Sequence, residues 1–227
     1  MLVITSVGTS LLEHCRETYN ELANDYYYLK DCPASLWENN QKRIEKIRKV
    51  LLSWAKVEED TSAEIKSLLK IRAHAKEEIT VQLIATDTIL SCLAAEVLCA
   101  VLKKEMITNF DPDRDVIKWL HVRDRKKFEK EGLVNLVARI EEVAATSTET
   151  GINITGGYKA LIPYLTILGQ VYGHRLYYIF EDTDELILLP QVPVNINWGL
   201  FEKYAHVFQD LEKGVYNWRF SCLTSSS

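Results

Sequence analysis

Residues 2–7, LVITSV, are a short run of β-branched and apolar residues that stops at Gly8. From Ser10 to about Leu29 the apolar positions recur at helical spacing. A strand, a tight turn and a helix are predicted. Two further helical patterns, at 38–57 and 61–75, carry mostly polar faces and delay the next strand until Thr80–Ala85. They read as a helical insertion of about 38–75. From Thr80 the order becomes regular. A helix is predicted from Ile89 to about Lys104, a loop over Asn109–Asp113, and a strand over Val116–Val122. A helix from about Arg125 to Val143 and a strand at 152–155 follow. The helix Tyr158–Tyr172 places Tyr158, Leu161, Ile162, Leu165 and Leu168 on one face.

Strands that alternate with helices imply parallel pairing through right-handed crossovers, hence a Rossmann-like, doubly wound α/β sheet. HRLYYIF and LILLP differ, because the acidic link Glu181–Glu185 between them is too short for a crossover. They are predicted to form an antiparallel hairpin at one edge of the sheet. A short helix at Leu200–Leu211 and a Ser-rich tail close the chain.

Composition narrows the function. The chain has 227 residues, 47% apolar and 26% charged, enough for a sizeable core. A net charge of -5 argues against a protein that coats long nucleic acid, which would present a broad basic face. A small anionic ligand needs only local positive potential. The five cysteines, Cys15, Cys32, Cys92, Cys99 and Cys222, form no C-x-x-C pair and are odd in number, so they read as reduced, core-packing thiols. The N-terminus lacks the basic and cleavable features of a signal peptide, and no apolar run reaches the length of a membrane span. A soluble, cytoplasmic protein without membrane partners is expected.

Neither G-x-x-x-x-G-K-[ST] nor G-x-G-x-x-G occurs, and His14, His74, His121, His174 and His206 show no ligand-like spacing. No cofactor and no metal are expected. In open α/β sheets ligands bind beyond the carboxyl ends of the strands. Three loops fall there: Gly8-Thr9-Ser10, Thr86-Asp87-Thr88 and Thr155-Gly156-Gly157-Tyr158-Lys159. Each combines hydroxyls or glycines with a following helix N-terminus, where free N–H groups favour an anion. Lys159 in a first helical turn opposes the helix dipole, by about 0.3–1 kcal/mol, unless an anion sits beside it. Each loop also has a purely structural reading. The glycines can simply make the turn, Ser10 and Glu13 fit a capping box, and Thr86–Thr88 can cap a helix. Tyr26, Tyr27 and Tyr28 could stack on a base or pack against the insertion, and Asp124–Lys130 reads as a solvated helix start.

The segments VITSVGTSLL, LIATDTILSCLAAEVL and NITGGYKALIPYLTILGQ, with the helix FEKEGLVNLVARI and the closing hairpin, resemble the CARF family, the CRISPR-associated Rossmann-fold sensors. They are most similar to the branch of standalone ring nucleases and type III CRISPR ancillary sensor domains. The resemblance covers nearly all of 1–197, leaving 198–227 as a C-terminal helix and tail. It implies a homodimer whose two-fold axis crosses the strand-end pocket, and a cyclic oligoadenylate, usually cyclic tetra-adenylate, as partner. It also implies ligand contact by the three loops, from Gly8 to Ser10, Thr86 to Thr88 and Thr155 to Lys159. In ring nucleases the positions matching Ser10 and Lys159 are catalytic. A ribose 2′-hydroxyl attacks its neighbouring phosphorus without metal, leaving a 2′,3′-cyclic phosphate and a 5′-hydroxyl. No histidine lies in these loops as a general base, so slow turnover is expected. The alternative is a non-catalytic sensor that regulates an attached or lost effector. A transcription regulator would need a winged helix, for which 200–227 is too short.

Overall fold

The computed structural model describes residues 1–121, 123–180, 184–193 and 198–212. Met1–Val192 form one compact unit and the segment from Pro193 a second. The first is built on a seven-stranded sheet: β1 (Leu2–Val7), β2 (Thr80–Thr86), β3 (Ile107–Asn109), β4 (Val116–Ile117), β5 (Thr150–Asn153), β6 (Arg175–Ile179) and β7 (Leu186–Leu189). The order is β3-β2-β1-β5-β6-β7, with β4 also paired to β2. All pairs are parallel except β6 with β7, which form the expected antiparallel edge hairpin. The architecture is the predicted Rossmann-like α/β sheet.

Its helices are α1 (Ser10–Thr18), α2 (Ala23–Leu29), α3 (Gln41–Trp54), α4 (Ala63–Ala75), α5 (Ile89–Leu102), α6 (Pro112–Asp115), α7 (Arg125–Lys127), α8 (Leu133–Ala144) and α9 (Ile162–Tyr172). Successive strand residues face opposite ways. Val3, Val7, Val81, Leu83 and Ala85 therefore meet the helices from α1 to α5, while Leu2, Ile4, Ile84 and Ile152 meet α8 and α9. The insertion is part of this core. Ile44, Ile47 and Leu51 of α3 and Ile65, Leu68 and Ile71 of α4 are buried. Asp25 of α2 holds α3 through Lys46, at 2.7 Å, and Arg43.

Three predicted helices are divided in the structure and one predicted strand is shortened. The helix from Ser10 breaks at Tyr19 and a 3-10 turn at Asn20–Leu22 before resuming as α2. Thr18 and Asn20, which favour helix ends over interiors, sit at the break. It lets Tyr26 turn back and donate its hydroxyl to Glu13, at 3.0 Å. The strand predicted at Val116–Val122 is only Val116–Ile117, and a strand that was not predicted, β3, precedes it at Ile107–Asn109. Asp111 and Pro112, good residues for starting a helix, form the turn α6 between β3 and β4. Val122 lies outside the described residues. The helix expected from Arg125 contains a π-turn at Phe128–Gly132 before α8. The one expected from Tyr158 opens with a 3-10 turn at Lys159–Leu161, and α9 starts beside Pro163. Its predicted apolar face is correct: Leu161, Leu165 and Leu168 are buried, with Tyr158 and Ile162 packed against them.

The second unit contains α10 (Trp198–Lys203) and α11 (Ala205–Glu212), two helices where one was predicted. Residues 181–183 of the acidic link Glu181–Glu185 and the tail from 213 fall outside the described residues.

Candidate functional site at the β1 and β5 ends

The chain runs outward from β1 to β2 and β3, then returns to the other flank of β1 as β5. The sheet reverses direction there, and the loops after β1 and β5 face each other across the resulting crevice. They touch at their glycines: a Cβ on Gly8 would lie 3.0 Å from the Gly157 backbone. Gly157 has φ +92°, and a Cβ on it would fall 2.1 Å from Ser6 Oγ. A Cβ on Gly156 would meet Glu64 Cγ at 2.8 Å. The backbone of this glycine pair is closely approached, and the groups that approach it belong to the chain itself.

Glu64, in the first turn of α4, is fully buried. Its Oε1 accepts the Gly8 N–H at 3.0 Å and the Gly157 N–H at 3.3 Å. Its Oε2 is buried and has no hydrogen-bond partner among the described residues. Two amides that the sequence offered to a phosphate are thus engaged by a carboxylate of the insertion. Sequence reasoning missed Glu64 because an acid just after a helix-capping serine, Ser62, looks like an ordinary response to the helix dipole.

Ser10 and Glu13 do not form the capping box. Thr9 precedes α1 and its hydroxyl donates to Glu13 at 2.8 Å, while Ser10 Oγ accepts the Ala63 N–H at 3.0 Å. Ser10 therefore ties α1 to the start of α4. One turn along α1, His14 Nδ1 lies 3.2 Å from the carbonyls of Asp60 and Thr61. Lys159 is exposed and makes no ion pair or hydrogen bond among the described residues. Ser10, His14, Glu64, Thr155, Gly157 and Lys159 share the lining of one cavity of about 760 Å³. Lys66 also lines it but is paired with Asp184. His14 is the second residue the sequence reading passed over. Its i, i+4 spacing from Ser10 was the available signal.

Thr86–Thr88 follow their structural reading. Thr88 Oγ1 caps α5 by accepting the Ser91 N–H at 3.3 Å, and Asp87 Oδ2 accepts the Trp119 N–H at 2.9 Å. Thr86 and Thr88 still line a second cavity of about 450 Å³, which shares Gly8, Thr9, Gly157 and Tyr158 with the first and is also lined by Lys30, His121 and Arg123. Burial, with a smaller contribution from Asp31, pushes the Tyr158 phenol above its usual value. Tyr26 is buried, whereas Tyr27 and Tyr28 are exposed and covered by the guanidinium groups of Arg16 and Arg43 at 5.1 and 4.2 Å from the ring centres. Asp124 caps its helix start and Arg125 pairs with Glu129.

Cys15, Cys92 and Cys99 are buried; burial raises the thiols of Cys15 and Cys92 to about 11 and about 12, which removes them as nucleophiles. Cys222 lies outside the described residues. Among those residues no cluster of His, Cys, Asp and Glu could hold a metal ion, and no helix is long and apolar enough to cross a membrane.

Residues 59–192 match the model of a family described as CRISPR-associated protein (Cas_APE2256). No curated protein matches the chain. The matched span runs from the turn that holds His14, through α4 with Glu64, to the edge hairpin, and covers more than half of the sequence. The chain belongs to the Cas_APE2256 family of CRISPR-associated proteins.

Proposed function

We propose that this chain is a CARF-type protein of type III CRISPR signalling. In this reading it binds a cyclic oligoadenylate, most simply cyclic tetra-adenylate, in the β1/β5 crevice of a homodimer. It then cleaves the ring without metal. The observation that carries the reading is that Ser10 and Lys159, from loops far apart in sequence, line one cavity at the point where the sheet reverses. Membership of a CRISPR-associated family supports it. Lys159, unpaired among the described residues, faces a ring phosphate; Lys30 and Arg123 line the adjoining cavity. Exposed Val134, Tyr164 and Ile167 on α8 and α9 offer apolar area for a second copy to cover. The protein aligns O2′, phosphorus and O5′ and stabilises the charge that develops.

A second reading, binding without cleavage, is favoured by one observation: Ser10 Oγ is already used to anchor Ala63. Incubating the purified protein with labelled cyclic tetra-adenylate in EDTA, with its mass in solution measured in parallel, separates the two. Linear products ending in a 2′,3′-cyclic phosphate are expected. Lys159→Ala should weaken ring binding by about 10-fold or more, the loss of a charge-assisted contact. Ser10→Ala should slow cleavage by about 10-fold or more with binding largely kept. A ring that binds but stays intact selects the sensor reading. A monomer that does not bind the ring refutes both.

A further inference from the structure

We infer that His14 is the general base of the cleavage step; the inference rests on the ring-nuclease reading above. Ser10 and His14 lie one turn apart on α1, so their side chains leave the same helix face. Both dock at the start of α4, Ser10 on the amide of its first residue, Ala63, and His14 on the Asp60 and Thr61 carbonyls of the turn before it. Those two partners decide the tautomer. A carbonyl oxygen only accepts, so Nδ1 carries the hydrogen, and in the neutral ring the lone pair is on Nε2.

Nε2 has no partner among the described residues, the side chain is exposed, and His14 lines the same cavity as Ser10 and Lys159. A base oriented through its other nitrogen and open toward the substrate space is the arrangement that general-base catalysis needs. The remaining charged groups of the cavity wall are Glu13 of the same helix, Glu59, Asp60, Glu64 and Lys66 of the insertion, and Lys159.

The step balances without any further reagent. Nε2 takes the proton of the ribose 2′-hydroxyl as the O2′–P bond forms and the P–O5′ bond breaks. O5′ takes a proton from water, and the imidazolium returns its own to solvent. Lys159 meets the charge on the phosphoryl oxygens.

The competing role for His14 is purely mechanical, pinning the insertion to α1. His14→Asn separates the two, because an asparagine amide N–H can replace Nδ1–H on the carbonyls but brings no base to the position of Nε2. The expected result is an unchanged melting temperature, ring affinity near that of wild type, and single-turnover cleavage about 100-fold slower or more. The acid limb of the wild-type pH–rate profile should vanish in the variant. Added imidazole should partly restore cleavage to His14→Ala, a readout that does not depend on how well the asparagine protein folds. Cleavage by His14→Asn at the wild-type rate, or an alanine variant that imidazole cannot rescue, overturns the role of His14 and leaves the ring-nuclease reading standing. A wild-type protein that binds the ring without cutting it overturns both the base and the cleavage.

Discussion

Glu64 makes a quantitative test of how the site is held. In Glu64→Ala the Gly8 and Gly157 N–H groups lose their acceptor. A stranded buried donor costs about 1–3 kcal/mol; both amides are part-buried, so the low end applies and the pair contributes about 2 kcal/mol. The lost Cγ methylene adds about 0.8 kcal/mol. Against it stands the relief of removing a buried carboxylate whose Oε2 has no partner. The net expectation is a loss of about 2–3 kcal/mol, or about 5–10 °C in Tm for a unit of this size. Glu64→Gln keeps an oxygen for both amides and removes the charge, so it should remain within about 1 kcal/mol of wild type. Urea unfolding of the three proteins, with the m-value checked for constancy, measures this. The two amides freed in the alanine variant, beside helix N-termini, should also take up an anion, so sulfate should raise its melting temperature more than that of wild type. If Glu64→Gln unfolds as early as Glu64→Ala, the carboxylate is not acting as an acceptor for the two amides and the clamp described here is wrong.

Two other outcomes follow from the structure. Gly157→Ala should destabilise the protein by at least about 2 kcal/mol and abolish ring binding, because φ +92° is strained for alanine and its Cβ would also lie 2.8 Å from the Ser6 carbonyl oxygen; a melting temperature equal to wild type would refute this. The hydrogen bond from Lys46, followed by that from Arg43, holds the Asp25 carboxyl below its usual value. A carboxyl with a depressed folded-state pKa stabilises the fold above its unfolded value near 3.9, and that stability is lost as pH falls through the folded value. Denaturant titrations between about pH 2 and 6 should therefore show a steeper acid loss for wild type than for Asp25→Asn, and identical slopes would count against the α2–α3 ion pairs.

Much of the fold was legible because it follows from hydrophobic period. LVITSV, VQLIAT and the GINI run are mostly apolar strands of a sheet covered on both faces, and the short acidic link could only join an antiparallel pair. The interruptions were not legible in the same way. A helix that breaks at Tyr19 keeps its apolar residues near helical spacing on both sides of the break, so periodicity alone reads straight through it. β3 was missed and β4 overextended for the opposite reason: they are two to three residues long, too short for any period to register.

The site shows a subtler limit. Gly156 and Gly157 signalled that something comes close to the backbone, which is as much as glycine can signal. What comes close is the Ser6 hydroxyl and the Glu64 carboxylate, and Glu64 reaches the loop from an insertion whose helical patterns carry mostly polar faces. Burial on α4 explains the misreading. Its inward residues, Glu64, Ile65, Ser67, Leu68 and Ile71, mix charge and hydroxyls with aliphatics, so the polarity that suggested solvent was facing a polar crevice instead. Ser67 accepts from Asn153 at the end of β5 and Ser10 accepts from Ala63, so the insertion is joined to both loops of the crevice by hydrogen bonds that connect residues far apart in sequence. His14 becomes a candidate base for the same reason. Its ring is oriented by carbonyls of the turn before α4, and without the insertion it would be one more exposed histidine on α1. The chemistry proposed here therefore depends on the element that a strand-and-helix reading would set aside.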